Sequence, residues 1–490
     1  MIKYFLFTAI AAFSLLLTSC DSWLDVQPEA SVGETELFST REGFANALNG
    51  IYTRCAQSDF YGGEFSVGTP EALAQNYTNS VYDYTHYMKT SLFDYTDAYF
   101  KTRMDSVWSA AYSAIANCNL ILQNIDNHQD LFSNSEYGMI KGEALALRAY
   151  VHFDMLRCFG SSYLTGADRA AIPYVTDYSN KVTPLSSVKE VTTKALKDLN
   201  EAKSLMSGDP ILSADYEVGY PDDDDQTETD DQNLFWQNRR HRMNYYAVCG
   251  ELARIYLYVG DHTNALKNAT EVIEANKFKW TDPSDFLASD PQQKDRIMYN
   301  ELVFGWYADA QETNLYNRFN SSVNGQYVSY DAARNIYEVG GVGAEDYRFK
   351  AWFTLVSNSS SGNSYQISKY KRDDDVNLHP LMIPAIRLSE LYYIAAECSY
   401  DSNPDQAWDY LNTVRFHRGI GTELSDSSGT SFETELLKEY RKETFAEGQY
   451  FFACKRLNRD IVSQTNVTYP ASPEIYILPL PDDEIEFGNR

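Results

Sequence analysis

A chain of 490 residues with 44% apolar and 22% charged residues can bury a sizeable core and is too apolar for global disorder. Its 41 basic residues against 69 acidic ones leave a formal charge of −28, which repels phosphate backbones and anionic lipid and argues against a nucleic-acid partner. Aromatic residues make up 14% of the chain, and 38 of them are Tyr.

The N-terminus reads as an address. Lys3 precedes an apolar run from Tyr4 to Leu17, shorter than the ~18 residues of a spanning helix and fitting the core of a secretory signal. Leu17-Thr18-Ser19-Cys20 has the spacing of a bacterial lipobox, in which small residues admit the peptidase and the thiol takes diacylglycerol. Residues 1–19 are therefore expected to be a lipoprotein signal peptide and Cys20 the site of lipid attachment. No later stretch is a spanning candidate, so membrane contact is expected through the lipid anchor only. Six further cysteines (Cys55, Cys118, Cys158, Cys249, Cys398 and Cys454) are scattered without a CxxC pair, and the spacing favours buried free thiols.

Residues 60–100 are crowded with Tyr61, Tyr77, Tyr82, Tyr84, Tyr87, Phe93, Tyr95 and Tyr99, interleaved with Gln75, Asn76, Asn79 and Asp83. The segment 105–160 then reads as two helices. Trp108, Tyr112, Ile115 and Asn119 share a face of the first, and Glu143 to Phe159 forms the second, stopped by Gly160. The acidic run Asp222 to Asp231 lacks the Gly and Glu of a calcium loop and reads as solvated. Arg239-Arg240-His241-Arg242 reads as the start of a helix, not a nucleic-acid patch.

In 244–276, Tyr246, Cys249, Ala253 and Leu257 recur at helical spacing, Gly260-Asp261 turns, and Ala265, Ala269 and Val272 line a second helix. Residues 277–372 alternate short apolar runs, such as Leu302 to Trp306, with Gly, Ser and Asn loops. Segment 386–417 repeats the helix-turn-helix plan, with Pro404 in a first helical turn. Glu439, Glu443 and Glu447, interleaved with Arg441 and Lys442, read as one face of a salt-bridged helix within a scaffold reaching residue 452.

These pairs resemble degenerate tetratricopeptide units with small residues in the second helix. The expected fold is mainly α: tetratricopeptide-like helix pairs at about 105–160, 244–276 and 386–452 form one wall. The poorly periodic stretches, about 60–100 and 277–372, are expected to form an irregular loop-rich part with short strands that carries the ligand-binding region. No GxSxG elbow, HExxH or Walker loop is present, and Gly340-Gly341-Val342-Gly343 lacks the strand-loop-helix setting of a dinucleotide loop. No catalytic residue, cofactor or metal site is expected.

A sugar ring offers an apolar C–H face for Tyr or Trp and a hydroxyl edge for Asn, Gln, Asp or Arg. That chemistry marks Asn76, Tyr77, Tyr82, Tyr84 and Tyr87 in the first of these stretches as candidate ligand contacts. Trp306, Tyr307 and Tyr316, with Asn317 and Arg318 beside them, are the second supply. Peptides suit the same groups.

From the lipobox onward the chain resembles the SusD/RagB family of Bacteroidetes surface lipoproteins. Cys20-Asp21-Ser22-Trp23-Leu24-Asp25-Val26-Gln27-Pro28 resembles that family's acidic linker and LDxxP opening. Glu143, Leu147, Arg148, Ala149, Phe153, Arg157, Phe159 and Gly160 are similar to its most recognisable helix. Residues 251–261 and 387–419 resemble two further helix-turns, Tyr440 to Gly448 its ERRxE…EG helix, and Leu478 to Ile485 its terminal PIPxxEI segment. Ala453-Cys454 departs from the usual Asp-Leu. The resemblance implies one SusD-like domain over 20–490, at the outer membrane and facing the cell exterior. It also implies a non-catalytic lid that captures oligosaccharide and delivers it to a SusC-like TonB-dependent transporter. The alternatives are the same lid for oligopeptides, a helical glycoside hydrolase, and a repeat scaffold with no small ligand.

Overall fold

The computed structural model describes residues 29–80, 82–320, 325–358, 362–371 and 381–488. The signal peptide, Cys20 and the LDxxP opening lie outside the described residues. Local capping sets where the main helices begin. Thr40 accepts from Gly43 N to open α1 (Arg41–Cys55), and Asp97 accepts from Phe100 N to open α2 (Ala98–Ile125). Ser133 and Glu136 form a capping box for α3 (Asn134–Phe159), as do Ser187 and Glu190 for α4 (Val188–Leu205). Asn244 caps α5 (Tyr245–Val259), which ends at left-handed Gly260, and Asp261 caps α6 (His262–Glu274). There follow α7 (Leu388–Tyr400), α8 (Pro404–His417), α9 (Phe432–Glu443) and α10 (Tyr450–Arg456).

From α2 to α8 each helix packs on the next, and α9 closes the series against α7 and α8. The pairs α2–α3, α5–α6 and α7–α8 make the expected wall. Between the first two sits α4, which is not among the helix pairs expected from the sequence. Its signals are in the sequence: the Ser187/Glu190 box, and Val188, Val191, Ala195, Leu199 and Ala202 at helical spacing, all buried. Gly142 lets α3 close on this unit, since a Cβ there would lie 2.5 Å from Met206 Cγ.

Short strands fill the intervening segments. β1 (Ala170–Pro173) pairs with β2 (Leu185–Ser187). β3 (Leu302–Tyr307) runs antiparallel to the later strand Met382–Arg387, with Trp306 opposite Ile383. β4 (Tyr327–Ser329), β5 (Phe353–Asn358) and β6 (Gly362–Ile367) form a three-stranded sheet in the order β4-β6-β5; the partner of β3 is β7, and β8 (Ile461–Val462) pairs with β9 (Thr468–Tyr469). One apolar core runs from Phe38 to Leu478, and a smaller one joins Trp408, Leu411 and Val414 to Phe432 and Leu436. All six described cysteines are free and buried. No described helix is long and apolar enough to cross a membrane.

Ion pairs run through this interior. On α3, Glu143 takes Arg239 (2.8 Å) and Arg242 (3.0 Å), and Arg148 takes Asp198 of α4 (2.8 Å). Arg254 of α5 reaches Glu390 of α7 at 2.7 Å. The densest web joins the loop-rich region to α9. Arg348 contacts Asp346 (2.7 Å), Glu439 (2.9 Å) and Glu443 (2.9 Å), and Arg418 bridges Glu443 (2.6 Å) to Glu301 (2.5 Å). All of these side chains are buried. The expected single glutamate face is corrected here. α9 ends at Glu443, left-handed Ala446 and Gly448 turn the chain, and Glu447 lies beyond the helix on Arg387 and Lys369. Arg441 bonds Asn76, not a neighbouring glutamate.

Truncating one partner of this web strands a buried charge. Arg348→Met is expected to lower the unfolding free energy by ~3–5 kcal/mol, read by chemical denaturation. Burial alone would raise the Glu439 carboxyl, but Lys442, Arg348 and Arg415 outweigh it and hold it down to about 2. A depressed carboxyl stabilises the fold above its unfolded value of 4.5, and that contribution is lost as pH falls toward 2. Denaturation across this window is expected to show a shallower pH dependence in Glu439→Gln than in the parent; equal slopes refute it.

Candidate functional site

The fold brings the two aromatic stretches together. Thr78 N donates to Tyr327 O at 2.8 Å, and Ser329 N donates to Thr78 Oγ1 at 2.8 Å. Arg318 donates to Tyr87 Oη at 2.9 Å, and Tyr77 meets Phe319 edge-on at 6.2 Å. Beneath this seam, buried Glu64 lies 3.6 Å from both Arg103 and Arg318 and accepts the Tyr87 hydroxyl. Two loops far apart in sequence therefore share a charged root and are held as one surface.

Burial divides the eight candidate ligand contacts into two sets. Asn76 is fully buried, donating to Glu71 at 2.8 Å and accepting from Arg441 at 2.9 Å. Tyr77 is buried and donates to Val67 O at 3.0 Å. Tyr87 is buried too, and desolvation pushes its hydroxyl up to about 12. Trp306, 2% exposed, stacks on Tyr61 at 4.5 Å with the rings 6° apart. These four face inward and support the surface from below; Asn76, Tyr77 and Tyr87 are corrected as direct ligand contacts, because their polar atoms or rings are already covered, and Trp306, almost wholly covered, lines the base of the cleft described below.

The other four face solvent. Tyr82 is 74% exposed and lies 5.6 Å from Tyr84, also exposed. Both sit on a tight turn with Asp83 and His86 left-handed, which Asp83 ties by accepting from Met88 N at 3.0 Å. Next to it His86 stacks on exposed Tyr99 at 3.8 Å, a pair absent from the sequence-based candidates. Tyr316 stands out from the short helix Glu312–Asn320.

Tyr307 is the first residue of β3 to leave cover, since the strand is buried on both faces from Leu302 to Trp306. It opens onto a cleft of about 270 Å³ lined by Asn49 and Tyr52 of α1 and by Asn238, His241 and Arg242. The His241 ring lies behind Tyr307 at 5.5 Å and 16°, leaving Tyr307 half exposed. Burial, with Arg240 and Arg242 alongside, pushes His241 down to about 3, so its ring is neutral at physiological pH. Arg242 is neutralised by Glu143 and donates to Asn49 Oδ1 at 2.7 Å. No carboxylate lines the cleft. It offers a half-free aromatic face, amide groups and no net charge.

Asn49 and Asn238 are not singled out by the sequence, and His241 reads there only as part of a basic helix start, not as a ligand contact. The Arg239–His241 turn does lead into α5, yet every arginine of the cluster is buried on an acid: Arg239 on Asp209 and Glu143, Arg240 on Glu228, and Arg242 on the same Glu143. Glu228 comes from the acidic run, whose Asp222 to Asp225 remain exposed. No group of three or more ligating side chains suited to a metal ion occurs among the described residues.

Two family models match this chain. One, described as starch-binding and associating with the outer membrane, covers residues 22–214, and the SusD family model covers residues 305–476. The chain belongs to the SusD/RagB family. It is similar to SusD-like protein P38 of Formosa agariphila, 23% identical over 506 residues, covering 91% of this chain and 90% of that one. A putative sugar binding protein from Bacteroides vulgatus superposes with a TM-score of 0.69 at 22% identity, over 91% of this chain and 96% of that one. A SusD superfamily protein from Bacteroides thetaiotaomicron gives 0.70 at 20% identity, over 92% and 98%. At these identities the solved structures show a shared fold.

The inward and outward sets separate by stability. Trp306→Ala is expected to cost ~3–5 kcal/mol, whereas Tyr307→Ala should stay within ~0.5 kcal/mol of the parent in denaturant melts. Equal losses would mean that Tyr307 is packed, not presented.

Proposed function

We propose that this SusD-family chain is a non-catalytic lipoprotein, anchored through Cys20 and facing the cell exterior, that captures an oligosaccharide and delivers it to a TonB-dependent outer-membrane transporter. The observation that carries the saccharide reading is Tyr307, half exposed and backed by His241 above an uncharged cleft with amides at its edge. Such a site suits the C–H face and hydroxyl edge of a sugar ring. Tyr82, Tyr84 and Tyr316, each exposed to solvent, are proposed as further stacking surfaces. The match to a starch-binding family model and the fold shared with a putative sugar binding protein of Bacteroides vulgatus favour the same class. Residues 20–490 would act as one lid-like body over the transporter, and loading must favour its closed arrangement if capture is to gate transport.

Oligopeptides are the second reading. Rings and amides serve a peptide backbone as well, but the cleft holds no unpaired charge to fix a terminus or a charged side chain. The discriminating experiment is calorimetry and affinity-gel retardation of the soluble form beginning at Asp21, against polysaccharide panels and a mixed peptide digest. Binding to one glycan family is expected. With ~0.5–1.5 kcal/mol per stacked ring, Tyr307→Ala with Tyr316→Ala should weaken it about tenfold or more, and Tyr82→Ala with Tyr84→Ala should do likewise. Binding to peptides alone would overturn the cargo, and unchanged affinity in both double variants would overturn the site.

A further inference from the structure

At the base of the Tyr307 cleft, two buried donors lack an acceptor. Trp306 and Arg242 both line the cleft and are only 2% and 9% exposed. Trp306 Nε1 and Arg242 Nη2 have no hydrogen-bond partner among the described residues. The other guanidinium nitrogens are committed, Nε to Glu143 at 3.0 Å and Nη1 to Asn49 Oδ1 at 2.7 Å. Trp306 is held through its ring face, stacked on Tyr61. Both side chains neighbour the Tyr52 ring, the guanidinium carbon at 4.9 Å and the indole at 6.3 Å from its centre. A buried N–H without an acceptor destabilises the fold, so two of them beside one cleft call for a ligand that brings the acceptor.

Charge narrows the kind of acceptor. Arg239 and Arg242 are balanced by Glu143 and Asp209, which leaves no cation for a carboxylate or sulfate. A chain of net charge −28 repels such groups as well. A neutral carbonyl oxygen accepts two bonds and carries no proton of its own. A hydroxyl arrives with a proton to place, and no carboxylate lines the cleft to take it. On a sugar ring a neutral carbonyl belongs to an O-acyl ester or an N-acyl amide, and the amide oxygen is the stronger acceptor. The alkyl end of the acyl group needs apolar cover, and Leu234 offers it, lining the cleft while 78% exposed.

We propose that the Tyr307 cleft is specific for an N-acylated amino sugar: Tyr307 stacks on the ring, and Trp306 Nε1 and Arg242 Nη2 donate to the acyl oxygen. This rests on the saccharide reading given above and adds to it the class of sugar.

The test is calorimetry of the soluble form beginning at Asp21 against the polysaccharide panel, extended with N-acetylchito-oligosaccharides, cello-oligosaccharides and released mucin glycans. The glycan that binds is reduced at its end and treated with mild base, which removes O-acyl esters. Strong base then removes the N-acyl groups, and re-N-acetylation restores them. The expected ligand carries N-acetyl groups, is unaffected by mild base, binds about tenfold or more weakly after N-deacetylation, and recovers on re-N-acetylation. Trp306→Phe keeps a ring against Tyr61 and removes the N–H. It should weaken the N-acetylated ligand about threefold or more, with the N-deacetylated ligand bound as by the parent. Should that variant fail to fold, the comparison of acylated and deacylated ligand on the parent decides. Tightest binding to a glycan without N-acyl groups, loss at the mild-base step, or no loss on N-deacetylation overturns this inference and leaves the saccharide reading standing. Unchanged affinity in a folded Trp306→Phe overturns it too, by removing the donor. A chain that binds no glycan at all overturns both.

Discussion

The constraint on which this molecule depends is the pairing of charge inside its core. Arg348, Arg418, Glu301, Glu439 and Glu443 are withdrawn from water together, and each is tolerable only because the others are in place. Such a web adds little net stability over a well-packed apolar core, but it penalises wrong arrangements heavily. Segments around 301, 346 and 418 have one way to sit against α9, and every other way leaves a buried charge unmatched. An irregular region with little regular hydrogen bonding thereby acquires a defined position. The web around Glu143 does the same between α3 and the residues ahead of α5.

That positioning explains which rings reach solvent. β3 lies against α1 and α5, so five consecutive residues are covered before Tyr307 emerges at its end. Asn76 and Tyr87 sit at the root of their loop, bonded to Arg441 and to Glu64 with Arg318, and this fixed root lets Tyr82 and Tyr84 project on a turn of strained backbone. The inward set is thus the reason the outward set has a shape.

Helical pairing was legible because it is written locally: 3.6-residue spacing, capping residues and turn glycines lie within about 30 residues of each other. The capping box that opens α4 is equally local, and that helix was within reach. The site was legible only as a pool of candidates. Composition marked Trp306 and Tyr307 alike, but which of two neighbouring rings is covered depends on α1 and Tyr61, some 250 positions earlier. Glu447 looked like the third member of a helical face, because nothing nearby says that Ala446 and Gly448 adopt left-handed backbone. Asn49 and Asn238 carry no pattern at all, and His241 showed only as one of a basic cluster; Asn49 meets the other two only when α1 and the turn before α5 are folded side by side.

The same charge pairing bears on how a lid of this kind would work. Glu143 ties the cleft to α3, since it takes Arg242 and accepts the Tyr52 hydroxyl at 2.7 Å, so the cleft wall cannot shift without disturbing buried ions. Arg254 and Glu390 extend the constraint to α7, and Arg418 and Glu443 extend it to α9. A hinge inside such a body would have to separate paired charges at a cost of several kcal/mol per pair. Under the proposed lid role, opening and closing would therefore be rigid-body movements of the whole chain. In that role, any preference of the ligand for the closed arrangement would then have to come from outside the cleft, which stays preorganised and loses little freedom on binding.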